Sequence, residues 1–155
     1  AGLCKRFGVP FILNDNVELA LACDADGVHV GQDDLAAAEA RRRLGAKKIV
    51  GVSAHNVAQA LAAARDGADY LGSGAVFGSK TKSNVSTLPH QTLREICASV
   101  DIPVVAIGGI TKENLPQLAG TGIDGVALVS AIFAAPDIES ECRQLRAMAE
   151  RMIHA

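Results

Sequence analysis

Pro103-Val104-Val105-Ala106-Ile107-Gly108-Gly109-Ile110-Thr111 is the stretch on which the fold turns. Its run of four apolar residues reads as a strand buried on both faces, the mark of a parallel sheet. Two glycines then let backbone N–H groups approach a neighbour closely, and Thr111 stands where a side chain caps a following helix. A strand that ends in bare amides beside a helix start is suited to cradle a phosphate.

Outward from this stretch the same arrangement recurs. Periodicity predicts strands near 10–14, 27–31, 48–53, 70–76, 103–108 and 125–130, and helices at 17–23, 35–44, 57–65, 91–100, 112–119 and 138–153. Residues 1–8 read as a helix tail ending at Gly8. Strand then helix without exception argues for right-handed βα units on one parallel sheet. An internal echo supports this: Asp26-Gly27-Val28-His29-Val30, Gly67-Ala68-Asp69-Tyr70-Leu71 and Gly122-Ile123-Asp124-Gly125-Val126 each carry an Asp in the turn before a strand. The expected fold class is α/β, with parallel βα repeats of the TIM (β/α)8 barrel type. A complete barrel has eight strands and about 250 residues. With six of the eight strands present, residues 1–155 are expected to form a single partial TIM-barrel domain. A six-stranded doubly wound sheet is the alternative.

Composition agrees. Of the 155 residues 49% are hydrophobic but only 3% aromatic, so the core is built from Ala, Val, Leu and Ile, as helices packed on parallel strands require. A net charge of −2, with cations dispersed apart from Arg41-Arg42-Arg43, gives no basic face for nucleic acid. The four cysteines form no C-x-x-C pair, which argues against a metal cluster or redox motif and suits small buried apolar residues. No apolar run reaches the roughly 20 residues that cross a bilayer, and the first residues lack a secretory layout; a cytoplasmic protein is expected.

The candidate chemistry lies after the strands. Asn14-Asp15-Asn16 and Gln32-Asp33-Asp34 place acidic groups at two neighbouring strand ends, where they suit either a helix start or a shared Mg²⁺ on a phosphorylated substrate. Ser53-Ala54-His55-Asn56 follows the third strand; His55 fits a surface hydrogen bonder in a capping turn better than an acid or base. Gly78-Ser79-Lys80-Thr81-Lys82-Ser83 is dense in hydroxyls and ammoniums and suits an anionic group. Gly108-Gly109 and Val129-Ser130 offer backbone donors. By themselves these residues indicate a phosphorylated small molecule on a barrel rim.

Several of these stretches, quoted together, resemble thiamine-phosphate synthase. They are Pro10-Phe11-Ile12-Leu13-Asn14-Asp15, Gly27-Val28-His29-Val30-Gly31-Gln32-Asp33-Asp34, Gly51-Val52-Ser53, Thr81-Lys82, Val105-Ala106-Ile107-Gly108-Gly109-Ile110-Thr111 and Gly125-Val126-Ala127-Leu128-Val129-Ser130-Ala131-Ile132. The resemblance implies a transferase of thiamine biosynthesis that joins hydroxymethylpyrimidine diphosphate to thiazole phosphate and releases pyrophosphate. It implies Mg²⁺ held by Asp15 and Asp34, with Asn14 on the same diphosphate. Ser53 would bond the pyrimidine or diphosphate, and Ser79, Thr81 and Lys82 the phosphates, Lys82 and Ser53 being the catalytic pair. The backbone at Gly109, Val129 and Ser130 would receive the thiazole phosphate. The implied chemistry is dissociative: pyrophosphate leaves, a pyrimidine cation forms, and the thiazole nitrogen captures it.

The chain departs from the family pattern in two respects. Two N-terminal βα units are not represented, and with them a basic Arg/Lys pair. The usual Gly-Pro-x-x-x-Thr element reads Gly74-Ala75-Val76-Phe77-Gly78-Ser79. The expectation is an N-terminally short barrel whose strand edges are covered by self-association or a complementing segment. A thiazole tautomerase-type sister enzyme, expected to carry a His near Gly74, and a non-catalytic phosphate-ligand-binding remnant are the alternatives.

Overall fold

A computed structural model describes residues 1–78 and 87–154. Six strands, β1 (Ile12–Asn14), β2 (Gly27–Val30), β3 (Ile49–Ser53), β4 (Tyr70–Gly74), β5 (Val104–Ile107) and β6 (Gly125–Ala127), form one sheet. Every neighbouring pair is parallel, and the order across the sheet is the order along the chain. A doubly wound sheet reverses its order at a switch point. Here the winding runs one way throughout, as in a barrel wall, so the open-sheet alternative is set aside. The helices are α1 (Gly2–Phe7), α2 (Val17–Ala22), α3 (Ala37–Leu44), α4 (Val57–Arg65), α5 (His90–Ser99), α6 (Ser130–Phe133) and α7 (Ile138–Ile153), with a 3₁₀ turn at Leu115–Leu118. None is long and apolar enough to cross a membrane.

Strand side chains alternate between two faces, and the register sorts them. Val28, Val30, Val50, Val52, Leu71, Val104 and Ala106 share the helix-covered face and are buried. Each buried Val or Leu there contributes roughly 1.5–3 kcal/mol. His29, Gly51, Ser53, Tyr70, Gly72, Gly74, Val105 and Ile107 lie on the opposite, lumen face. Val105 is half-buried and Ile107 is 40% exposed, so β5 is fully buried on one face only.

The sequence echo has a structural counterpart at the N-terminal rim. Phe11 N–H donates to the Asp26 carboxylate (2.7 Å) while Asp26 N–H donates to Phe11 C=O (2.9 Å). Val50 and Asp69 exchange the same two bonds (2.7 and 2.8 Å), as do Val104 and Asp124 (both 2.9 Å). Each clamp ties the start of an odd-numbered strand to its even-numbered successor. Arg41 reinforces the middle clamp, donating to Asp69 Oδ2 and to the carbonyls of Gly45, Lys48 and Gly67.

Four local expectations need correction. The segment 112–119 forms only the 3₁₀ turn, because Pro116 lacks an N–H and Gly120 and Gly122 adopt positive φ just beyond it. Thr111 caps no helix; its amide donates to the Asn114 side chain instead. The last strand stops at Ala127, and Ser130 opens the short α6. None of the cysteines is fully buried: Cys23 is exposed at the end of α2, and the others are half-buried.

Candidate functional site

The C-terminal ends of all six parallel strands lie on one rim, opposite the Asp clamps. At the tip of β1, Asn14 Nδ2 donates to Asp15 Oδ2 (2.6 Å), and Asp15 N–H donates to His29 C=O (2.7 Å). Asp15 holds φ +65°, a left-handed conformation that costs a non-glycine residue about 1 kcal/mol or more and that collects at functional sites. Neither residue caps α2. That task falls to Asn16, whose side chain accepts from Leu19 N–H at 2.8 Å. At the tip of β2, Asp34 Oδ2 accepts from Gly31 N–H (2.7 Å) in a tight turn. The α3 helix begins only at Ala37, with no side-chain cap, so Asp33 and Asp34 are not its N-terminal acids.

The next strand tip carries Ser53. Gln32 reaches over from the β2 loop and donates to Ser53 C=O at 2.6 Å. His29 lies beneath, its Nε2 3.0 Å from Ser53 Oγ and its Nδ1 3.0 Å from the Tyr70 hydroxyl. Burial lowers the His29 pKa, partly opposed by the charge of Asp34, and burial raises that of Tyr70. Near neutral pH the pair is therefore a neutral imidazole and an un-ionised phenol. His55 stands beside this group, with Nδ1 2.8 Å from Gly74 C=O, its amide donating to Gln59 Oε1; Asn56 is the helix cap there.

Across the rim, β5 opens into Gly108 (φ +101°) and Gly109 (φ +66°). A Cβ on Gly109 would stand 2.3 Å from Gly78 C=O, so only glycine lets these loops meet. Asn114 holds the turn from below, donating to Gly109 C=O (2.9 Å) and accepting from Thr111 N–H (2.7 Å). Beyond β6, Val129 is exposed and precedes Ser130 at the start of α6, where the first amides of a helix have no internal partner. Ser79, Thr81 and Lys82 lie outside the described residues.

Asn14, Asp15, Asp34, Ser53, Gly109, Val129 and Ser130 thus lie on one rim, each at or a few residues beyond the C-terminal end of its strand. Among the described residues no group of three or more His, Cys, Asp and Glu is gathered to cage a metal. Two hard carboxylates on neighbouring tips instead fit Mg²⁺, which retains waters and takes further oxygens from substrate phosphate. Sequence reasoning did not single out Tyr70, His29 or Gln32 as site groups. The available signal was His29 standing between Val28 and Val30, one polar residue on the alternate face of an apolar strand.

Comparison with known proteins agrees with this geometry. The family model for thiamine monophosphate synthase matches residues 1–132. The thiamine-phosphate synthase of Chloroflexus aurantiacus is 53% identical over 147 residues, covering 94% of this chain and 68% of that protein. Its Methanobrevibacter smithii counterpart is 52% identical over 141 residues, covering 90% of this chain and 68% of that protein. The solved thiamine phosphate pyrophosphorylase of Pyrococcus furiosus superposes with a TM-score of 0.88 at 38% identity, over 98% of this chain and 73% of that one. Half the residues identical along nine-tenths of the chain, on a matching βα wall, leave one conclusion: this chain belongs to the thiamine monophosphate synthase family.

Proposed function

We propose that residues 1–155 act as one partial barrel domain of a thiamine-phosphate synthase, joining hydroxymethylpyrimidine diphosphate to thiazole phosphate with release of pyrophosphate. The observation that carries this is the common rim: acidic tips on β1 and β2, a hydroxyl tip on β3, and bare-amide tips after β5 and β6. In this reading Asp15 and Asp34 hold Mg²⁺, and Asn14 contacts the same diphosphate. Ser53 donates toward the pyrimidine diphosphate. Ser79, Thr81 and Lys82 bind phosphate oxygens, and the amides at Gly109, Val129 and Ser130 receive the thiazole phosphate. When bound, the metal supplies positive charge against the departing pyrophosphate. Lys82 and Ser53 add to that stabilisation as negative charge develops on the leaving oxygens, so no side chain need act as nucleophile. The tautomerase-type alternative finds no support: a Cβ at Gly74 would stand 2.1 Å from Ile107 C=O, and no His occupies that strand.

Exposed Leu3, Phe7 and Val9 before β1, and Phe133 and Ile138 beyond β6, support covering of both sheet ends by a second copy or a complementing segment. Light scattering checks this: an oligomer agrees, and a stable monomer contradicts it. The activity itself is tested by assaying pyrophosphate release with Mg²⁺ and each substrate alone or together. Release is expected only with both substrates and with the metal. Release from one substrate alone, or without Mg²⁺, counts against the proposal.

A further inference from the structure

Three side chains on three neighbouring strands form a polar line across the lumen face: Tyr70 on β4, His29 on β2 and Ser53 on β3. The line exists because glycines stand beneath it. A Cβ at Gly51 would lie 2.2 Å from the Tyr70 ring, and one at Gly72 would lie 2.9 Å from His29 Cε1. With no side chain at these two positions, the phenol and imidazole rings cover them and meet, their centroids 5.4 Å apart and their planes tilted by 42°.

Counting protons leaves two polarities for the line. A neutral imidazole carries one N–H, and the partner of one nitrogen decides which nitrogen holds it. Among the described residues, His29 Nδ1 is the hydrogen-bond partner of the Tyr70 hydroxyl. If Tyr70 O–H donates to Nδ1, the imidazole proton sits on Nε2 and donates to Ser53 Oγ. The serine keeps its own proton for the mouth above. With the opposite polarity the half-buried phenol proton has no protein acceptor among the described residues, and Ser53 turns its O–H down onto Nε2. Without a ligand each polarity leaves one half-buried hydroxyl proton with no protein acceptor among the described residues; an anionic group above Ser53 supplies the missing acceptor in the first polarity only.

We propose that Tyr70 is a positioning residue that, acting through His29, holds the Ser53 hydroxyl as a hydrogen-bond donor toward the bound pyrimidine diphosphate. The proposal rests on the synthase reading of the site. It also separates this Ser–His contact from a nucleophilic pair. In a nucleophilic pair the imidazole nitrogen facing the serine is bare and takes the hydroxyl proton; here that nitrogen is protonated, and the serine is a donor.

The test pairs ¹⁵N NMR of the histidine rings with steady-state kinetics, on the wild-type chain and Tyr70→Phe. His29 in the wild type is expected to show a protonated Nε2 and a bare Nδ1. In Tyr70→Phe the Nδ1–H form should gain population. Turnover should fall on the order of 10–100-fold, as when a hydrogen-bonded orienting partner is lost. KM for the pyrimidine diphosphate should stay nearly unmoved, because the donor acts on charge that develops in the transition state. A wild-type His29 protonated on Nδ1 overturns the proposal. So does a Tyr70→Phe chain with unchanged ¹⁵N shifts, or one whose loss is all in KM. The expected tautomer in a wild-type chain that makes no thiamine phosphate upholds the hydrogen-bond polarity and removes the synthase reading alone.

Discussion

Both rims of this sheet are acidic, yet the carboxylates on them do different work. At the N-terminal rim Asp26, Asp69 and Asp124 each accept from the first amides of the preceding strand and return a bond from their own amide. At the C-terminal rim Asp34 accepts from an amide within its own turn, and Asp15 bonds the neighbouring Asn14. The first set joins strands, and the second set stands on loops above them. On the proposed reading, position along a parallel strand separates the carboxylates that join strands from those that serve the site, as in barrel enzymes generally. Substitutions on the two rims should separate accordingly.

The largest effect belongs to the C-terminal rim. Asp34→Ala should lower the rate of pyrophosphate release about 10²–10³-fold, the usual cost of removing transition-state charge stabilisation. Its urea midpoint should stay close to that of the parent chain. A large loss of stability with rate per folded molecule retained would erase the distinction between the rims. Asp69→Ala should do the reverse. Loss of the acceptor for Val50 N–H and of the Arg41 partner should cost about 1–3 kcal/mol in urea unfolding, with activity of the folded fraction unchanged. A smaller gain is expected from Ser73→Ala. Its hydroxyl is fully buried on the helix-covered face and has no hydrogen-bond partner among the described residues. Removing it should raise the urea midpoint by the equivalent of about 1 kcal/mol; a lower midpoint would mean that the hydroxyl is satisfied.

The mildest expected effect is a pH dependence. Burial holds the folded pKa of His29 below its ordinary value near 6.5, so between those two values the unfolded chain binds more protons. The stability contribution from neutral His29 is then complete above about pH 6.5 and falls away as the pH drops toward the folded pKa. His29→Gln should flatten that slope in urea titrations from pH 5 to 7. An unchanged slope would assign it to other groups.

Much of this was legible from periodicity. The helix-covered valines of β2 and β3 announce the strands, and the segments 57–65 and 138–153 are helical as expected. The Asp echo was visible as a pattern, but its purpose was not, because each clamp bonds an Asp to an amide 15 to 20 residues earlier. Capping was only partly legible: of Asn14-Asp15-Asn16, offered together as a helix start or a metal site, Asn16 alone caps, and Asn114 turns back on the loop where Thr111 was expected to start a helix. Asx side chains within a few residues of one another compete for the same amides, and spacing cannot choose among them. The Tyr70–His29–Ser53 line was hidden for another reason. It needs side chains from three strands and the absence of side chains at Gly51 and Gly72, information that exists only once the register is known.

The central claim, that the tips of β1, β2, β3, β5 and β6 face one mouth, is tested most directly with Mn²⁺ standing in for Mg²⁺ in the presence of pyrophosphate. Paramagnetic broadening is read on the backbone amides of the ¹⁵N-labelled chain. The account predicts that Ser53, Gly109 and Ser130 broaden together with Asp15 and Asp34, while Asp26, Asp69 and Asp124 stay sharp. Broadening centred on the N-terminal clamps, or confined to Asp15 and Asp34 with Gly109 and Ser130 untouched, would contradict it.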